Sequence, residues 1–153
     1  MKIAEALTES KRLGNLIPAL LSQFGDNCII VNGEKPDRDP VVLLEKVQAA
    51  IGDKAKLDRQ ITLTNAATKL PCGLTIHEAI LRKASLKLTI SSAAGMTTHL
   101  RSGKRLGYNE EKGTRKEYAV KPERVEAIAN EAAKELRSIE SQMQQANWVV
   151  DLI

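Results

Sequence analysis

Four stretches of the chain carry apolar residues at helical spacing. In residues 2–24 the set Ile3, Ala6, Leu7, Leu13, Leu16, Ile17, Leu20, Leu21 and Phe24 advances by three- and four-residue steps, the mark of one buried helix face. Gly14 and Pro18 weaken that helix, and Pro18 predicts a kink. Asp39-Pro40 is a start signal for a second helix over 40–66, because the Asp side chain can cap free amides while proline occupies the first turn. Its seam reads Leu44, Val47, Ile51, Leu57 and Ile61, with Lys54 interrupting. Thr75-Ile-His-Glu78 has the spacing of a capping box and opens a third helix over 75–95, which fades near Gly95. The fourth, over 122–147, has the cleanest period: Val125, Ala129, Ala132, Leu136, Ile139, Met143, Ala146 and Val150 step alternately by four and three. That 3.5-residue repeat is a coiled-coil seam, and its alanines allow close helix approach.

Two short segments break the helical pattern. Residues 28–32 read as a β-branched strand ending in an Asn32-Gly33 turn, and 117–121 as a second strand. The predicted fold is mainly α: an antiparallel four-helix bundle of helical hairpins, with coiled-coil-like packing, in one domain over 1–153. With up-down-up-down helices the two long connections share one end, where the strands pair into a small two-stranded β-ribbon.

The same topology makes the second and fourth helices parallel. Asn65 follows Pro40, and Asn147 follows Pro122, by equal spans worth about 38 Å of helix. Thr64, Asn65, Thr68, His77, Glu78 and Asn147 are therefore expected at the end opposite the ribbon, beside Glu5. Three readings of that polar cluster stand open. It terminates helices, since Asn tolerates the left-handed backbone and Thr bonds back to carbonyls. It forms a buried amide network that fixes helix register. Or it lines a small-ligand or enzymatic pocket, in which His77 or Glu78 would supply the acid or base that amides cannot. His77 inside a capping box reads as a solvated first-turn residue. Trp148, the one tryptophan, reads with Ala129, Ala132, Leu136, Ile139 and Met143 as an oligomer interface.

Composition supports helices over sheets, with 42% hydrophobic residues but only 3% aromatic. The net charge of +4 is concentrated: residues 101–124 hold eight Lys or Arg against four Glu, a surplus equal to that of the whole chain. Arg101, Lys104, Arg105, Lys112, Arg115 and Lys116 are thus candidate nucleic-acid contacts, with Tyr108 and Tyr118 available for stacking. Four interrupting glutamates make a solvated loop the plainer reading. Cys28 and Cys72 lack metal-ligand spacing and fall at opposite ends, so no metal, disulfide or cofactor is expected. No Gly-rich phosphate loop, HExxH or GxSxG occurs. No segment approaches a membrane span, and MKIAEALTESKR carries acids in a helical pattern, so a cytoplasmic setting is expected.

The opening MKIAEALTE, the Asp-Pro start of the second helix, TNAATKL followed by LTIHEAI, and the closing QQANWVVDL resemble the septicolysin-like family of small bacterial helical proteins. The resemblance implies a helical bundle with a strand excursion and assembly into a homo-oligomer, a hexamer. It marks Asn65 and Asn147 as positions typical of that family. Where the family carries Arg-Asp in its third helix, this chain has Lys83-Ala84. With no export-like segment, a pore-forming role is not expected. The function predicted is that of a non-catalytic, self-assembling scaffold.

Overall fold

The structure, a computed structural model, describes residues 1–30, 32–102, 107–109 and 113–153. Its elements are α1 (Ile3–Asn27), α2 (Pro40–Ala67), α3 (Ile76–Ser102), β1 (Gly107–Asn109), β2 (Thr114–Lys116) and α4 (Pro122–Val149). The chain gathers into two compact units. One comprises Met1–Lys69 with Gln145–Ile153, the other Leu70–Gln144.

In the first unit α1 and α2 form an antiparallel hairpin. Both seams have a 3.5-residue period. On α1 it runs Ile3, Ala6, Ser10, Leu13, Ile17, Leu20, Phe24, Asn27, and on α2 Leu43, Val47, Ala50, Lys54, Leu57, Ile61, Thr64. The α2 seam is therefore one residue off the sequence expectation in its first half. Leu44 and Ile51 are 46% and 50% exposed, whereas Leu43 and Ala50 are buried. The reason is Lys54, which occupies a seam position rather than breaking the stripe, so the repeat continues through it to Leu57.

The helix ends follow local chemistry. Asp39 Oδ1 accepts the Val41 amide at 2.8 Å, with Pro40 in the first turn. The buried Asn27 closes α1, donating to Gln23 O at 2.8 Å and accepting the Arg38 amide at 2.9 Å. Despite Pro18, α1 is assigned as one uninterrupted helix.

In the second unit the Thr75 amide donates to Glu78 Oε2 at 2.7 Å and the Glu78 amide to Thr75 Oγ1 at 3.1 Å, the reciprocal box expected from sequence. Before it, Gly73 takes φ +89° in a tight turn, where its amide donates to Leu70 O. The seam of α3 is Ile76, Ala79, Lys83, Leu86, Ile90 and Ala93. Arg82 forms a bidentate pair with Glu135 at 2.7 and 2.8 Å, and Lys83 reaches Glu140 at 2.8 Å. The Cys72 amide, just before α3, donates to Gln142 near the end of α4, while Ala93 and Met96 lie beside Val125 and Ile128 near its start, so α3 and α4 also run antiparallel. Gly95 does not end α3, which continues to Ser102. Thr97 and Thr98 bond back to the Ala93 and Ala94 carbonyls, and a lone glycine costs only about 1 kcal/mol in a helix.

The predicted ribbon of 28–32 with 117–121 is not seen among the described residues. Residues 28–30 and 117–121 are irregular, with Val31 outside the described residues; the Asn32-Gly33 turn is present at φ 53° and 77°. An antiparallel pair forms instead between β1 and β2, with Gly107 opposite Lys116 and Asn109 opposite Thr114. β-Branched composition pointed to the wrong segments. Strands four positions apart close at far lower entropic cost than strands separated by most of the chain.

Candidate functional site

The chain ends and the last turn of α2 meet in the first unit. The Ile3 amide donates to Val150 O at 3.1 Å and the Leu152 amide to Met1 O at 3.0 Å, an antiparallel bridge that pairs Lys2 with Asp151. Lys2 Nζ donates to Val149 O at 2.8 Å and to Asp151 Oδ2 at 2.7 Å, and the terminal amine lies 3.7 Å from Asp151 Oδ1. Glu5 accepts the Lys2 amide at 2.8 Å, which satisfies a free donor at the start of α1. The fully buried Thr64 completes the clasp. Its hydroxyl donates to Gln60 O at 2.8 Å and accepts the Ile153 amide at 3.1 Å.

The other threonines of this run bond to the helix. Thr62 Oγ1 donates to Asp58 O, and the Thr68 amide closes α2 on Thr64 O. The hydroxyls of Thr62 and Thr64 are thus engaged with the helix itself and with the C-terminal segment. Asn65 differs, because its Oδ1 is buried without a hydrogen-bond partner among the described residues. A buried, unpaired acceptor costs roughly 1–3 kcal/mol. Asn65→Leu is therefore expected to leave the urea midpoint unchanged or to raise it. A drop equivalent to more than about 1 kcal/mol would show the amide engaged in a network worth that much.

Asn147 is half-buried in the same unit. His77 and Glu78 belong to the other unit, where both are exposed and Glu78 serves the capping box. Of the basic candidates, Lys104, Arg105 and Lys112 lie outside the described residues. Arg101 is exposed at the end of α3, Arg115 is ion-paired with Glu117 at 2.6 Å, and Lys116 sits in β2. Of the interface candidates, Ala132 and Ile139 are buried within the chain itself, and Ala129, Leu136 and Met143 are half-buried. Part of the α4 seam is therefore covered within the chain, and part of it remains accessible. Trp148 is the most accessible of these candidates, at 71% exposed.

A polar layer inside the α1–α2 seam was not anticipated. Ser10 Oγ donates to Asp58 Oδ1, while Lys54 Nζ donates to Ser10 Oγ at 3.2 Å and pairs with Asp58. The signal was available in sequence, since Ser10 and Lys54 both occupy seam positions. A serine beside a lysine raises the question of a nucleophile with its base. Here Lys54 donates to the hydroxyl, and the serine proton points at Asp58. Hydrogen bonds from Lys54 and then Ser10 hold Asp58 below the usual carboxylate range, which makes it a poor base. The layer suits register selection, as a polar residue does in a coiled-coil seam.

Other carboxylates are held low as well: Asp151 by the Lys2 hydrogen bond, Glu135 by Arg82, Glu140 by Lys83. A depressed folded-state value means that the stabilisation is complete above the ordinary carboxylate range and is lost as pH falls through the depressed values. Stability is thus expected to be level from neutral pH down to about 5 and to decline below about 4. Lys2→Met should shallow that acid limb. An unchanged limb would remove the clasp pair from the explanation.

Among the described residues no group of His, Cys, Asp or Glu is placed to hold a metal ion, and no helix is long and apolar enough to cross a membrane. Both cysteines are free and exposed.

The chain adopts the fold of a functionally unknown conserved protein from Corynebacterium diphtheriae, seen in its crystal structure. The TM-score is 0.78 at 22% identity, over 100% of this chain and 99% of that one. At that identity the likeness establishes the fold alone. No curated protein matches the sequence. The model of a family of unknown function, DUF6847, matches residues 10–152, and the chain belongs to that family.

Proposed function

We propose that this DUF6847 protein is a non-catalytic helical module that works by assembling with copies of itself. The observation that carries the reading is the exposure of Trp148 at 71%. The chain has a single tryptophan, and it places that residue in water on the last turn of α4. Val149, Met1 and Ile153 are also exposed, and the clasp hydrogen bonds hold the backbones of all three close together. An apolar rim around an exposed tryptophan is the composition of an interface anchor. The polar groups within the rim are already occupied by one another, which favours a structural over a chemical role. The resemblance to septicolysin-like proteins supports the same reading and makes six the expected number of copies.

Because Trp148 is unique, its fluorescence reports directly on the rim. Emission is expected to shift to the blue as concentration rises through the micromolar range. Trp148→Ala should weaken assembly by at least tenfold, on the order of 1.4 kcal/mol or more for a central aromatic anchor. Emission that stays at the position of a solvated indole at every concentration would refute the reading.

A further inference from the structure

An asparagine side chain can react slowly with its own backbone. The amide nitrogen of the next residue attacks Cγ and closes a succinimide ring. The Cγ–Nδ2 bond breaks, and ammonia leaves with the proton that the attacking amide gives up. Water then opens the ring at either carbonyl, leaving aspartate or isoaspartate. Water is the only other reactant, and nothing is oxidised or reduced. The rate turns on the bulk of the next residue and on the freedom of the backbone to swing that nitrogen round to Cγ.

The chain has seven asparagines, and both conditions separate one of them from the rest. Asn15, Asn27, Asn65, Asn130 and Asn147 lie within α1, α2 and α4, where swinging the following amide out of place breaks the helical ladder. Asn109 is paired with Thr114 in β1. Each of these six is followed by a residue that carries a Cβ. Asn32 is followed by Gly33. Both are exposed, in the connection between α1 and α2, and both have positive φ, 53° and 77°. A Cβ built on Gly33 would meet nothing within 4 Å, so the space about the attacking residue is open. Among the described residues the Gly33 amide is held by no backbone hydrogen bond. The nearby Ile29 and Ile30 are 72% and 66% exposed, so packing holds this turn only loosely.

We propose that Asn32 is a deamidation site of the folded protein, converted through a succinimide with Gly33 to aspartate and isoaspartate. The inference is independent of the self-assembly reading. The ring forms when the turn opens, and opening is cheap at an exposed loop tip but costs ladder hydrogen bonds in a helix. The change stays local. Below the turn Asn27 Oδ1 accepts the Arg38 amide at 2.9 Å, the Arg38 guanidinium donates to Gln23, and Asp39 caps α2. These bonds pin both ends of the loop, and aspartate tolerates the left-handed backbone as asparagine does. The product therefore keeps the fold and gains a negative charge, in a loop that already carries Glu34, Asp37 and Asp39.

The test incubates the folded full chain at mildly alkaline pH and maps its peptides by mass spectrometry, with isoaspartyl methyltransferase labelling to identify the isomer. Asn32 is expected to convert ahead of the other asparagines and to both products, with an acidic shift on ion exchange and an unchanged urea midpoint. Gly33→Ala should remove the lead of Asn32, and its thermal melt checks that the fold is intact. Asn32→Asp should show the acidic shift from the start. An acidic shift that still develops in Asn32→Asp at the wild-type rate places the reaction at another residue and overturns the proposal. Conversion of another asparagine first, or of Asn32 only after unfolding in urea, overturns it as well.

Discussion

Replacing Ile3 with alanine is expected to lower the unfolding free energy by about 2–5 kcal/mol, the range for removing a large aliphatic side chain from a packed interior. Ile3 has no exposed surface. It is the first residue of α1, at a seam position, and its amide donates to Val150 O. Truncation keeps that hydrogen bond but empties the space beneath the clasp. The surrounding groups are tied by Lys2, Asp151 and Thr64 and have little freedom to collapse inward. The loss should therefore reach beyond the simple transfer term. Urea unfolding would measure it, and a loss under about 1 kcal/mol would mean that the chain ends do not close over a packed core.

The second large effect has the opposite sign. Pro18→Ala is expected to stabilise the protein by about 2–2.6 kcal/mol. A proline inside a helix removes one hydrogen bond and crowds the preceding turn, at a cost of about 3 kcal/mol. α1 is nonetheless assigned as helical on both sides of Pro18, which is exposed and contributes no buried contact worth keeping. Against the gain stands the flexibility that alanine returns to the unfolded chain, about 0.4–1 kcal/mol. If the substitution destabilises instead, the proline is required for α1 to follow α2.

These two residues show how far the sequence carries. All four helices could be read from apolar spacing and start signals, because Asp39-Pro40 and Thr75–Glu78 act locally and need no tertiary context. The α2 register could not be read from hydrophobicity, which favours Leu44 and Ile51 over the buried Leu43 and Ala50. Only pairing with α1 through Ser10, Lys54 and Asp58 decides between them. The ribbon was misplaced for a related reason. Strand propensity in Ile29, Ile30 and Tyr118 says nothing about the entropy of bringing distant segments together.

At the candidate site the polar run around Thr64 was visible, but its use was not. The Ile153 amide that Thr64 accepts is 89 residues away, and no local pattern announces such a partner. The 3.5-residue repeat of α4 pointed to an interface, yet a seam looks the same whether its partner is in the same chain or in another. Exposure separates the two cases. It places Ala132 and Ile139 inside and leaves Trp148, with the outer face of α3, in water.

Sedimentation equilibrium of the wild-type protein across the micromolar range tests the self-assembly reading most directly. The expected result is a mass that rises with concentration above the 16.8 kDa of one chain. A mass that stays at 16.8 kDa at every concentration would contradict it.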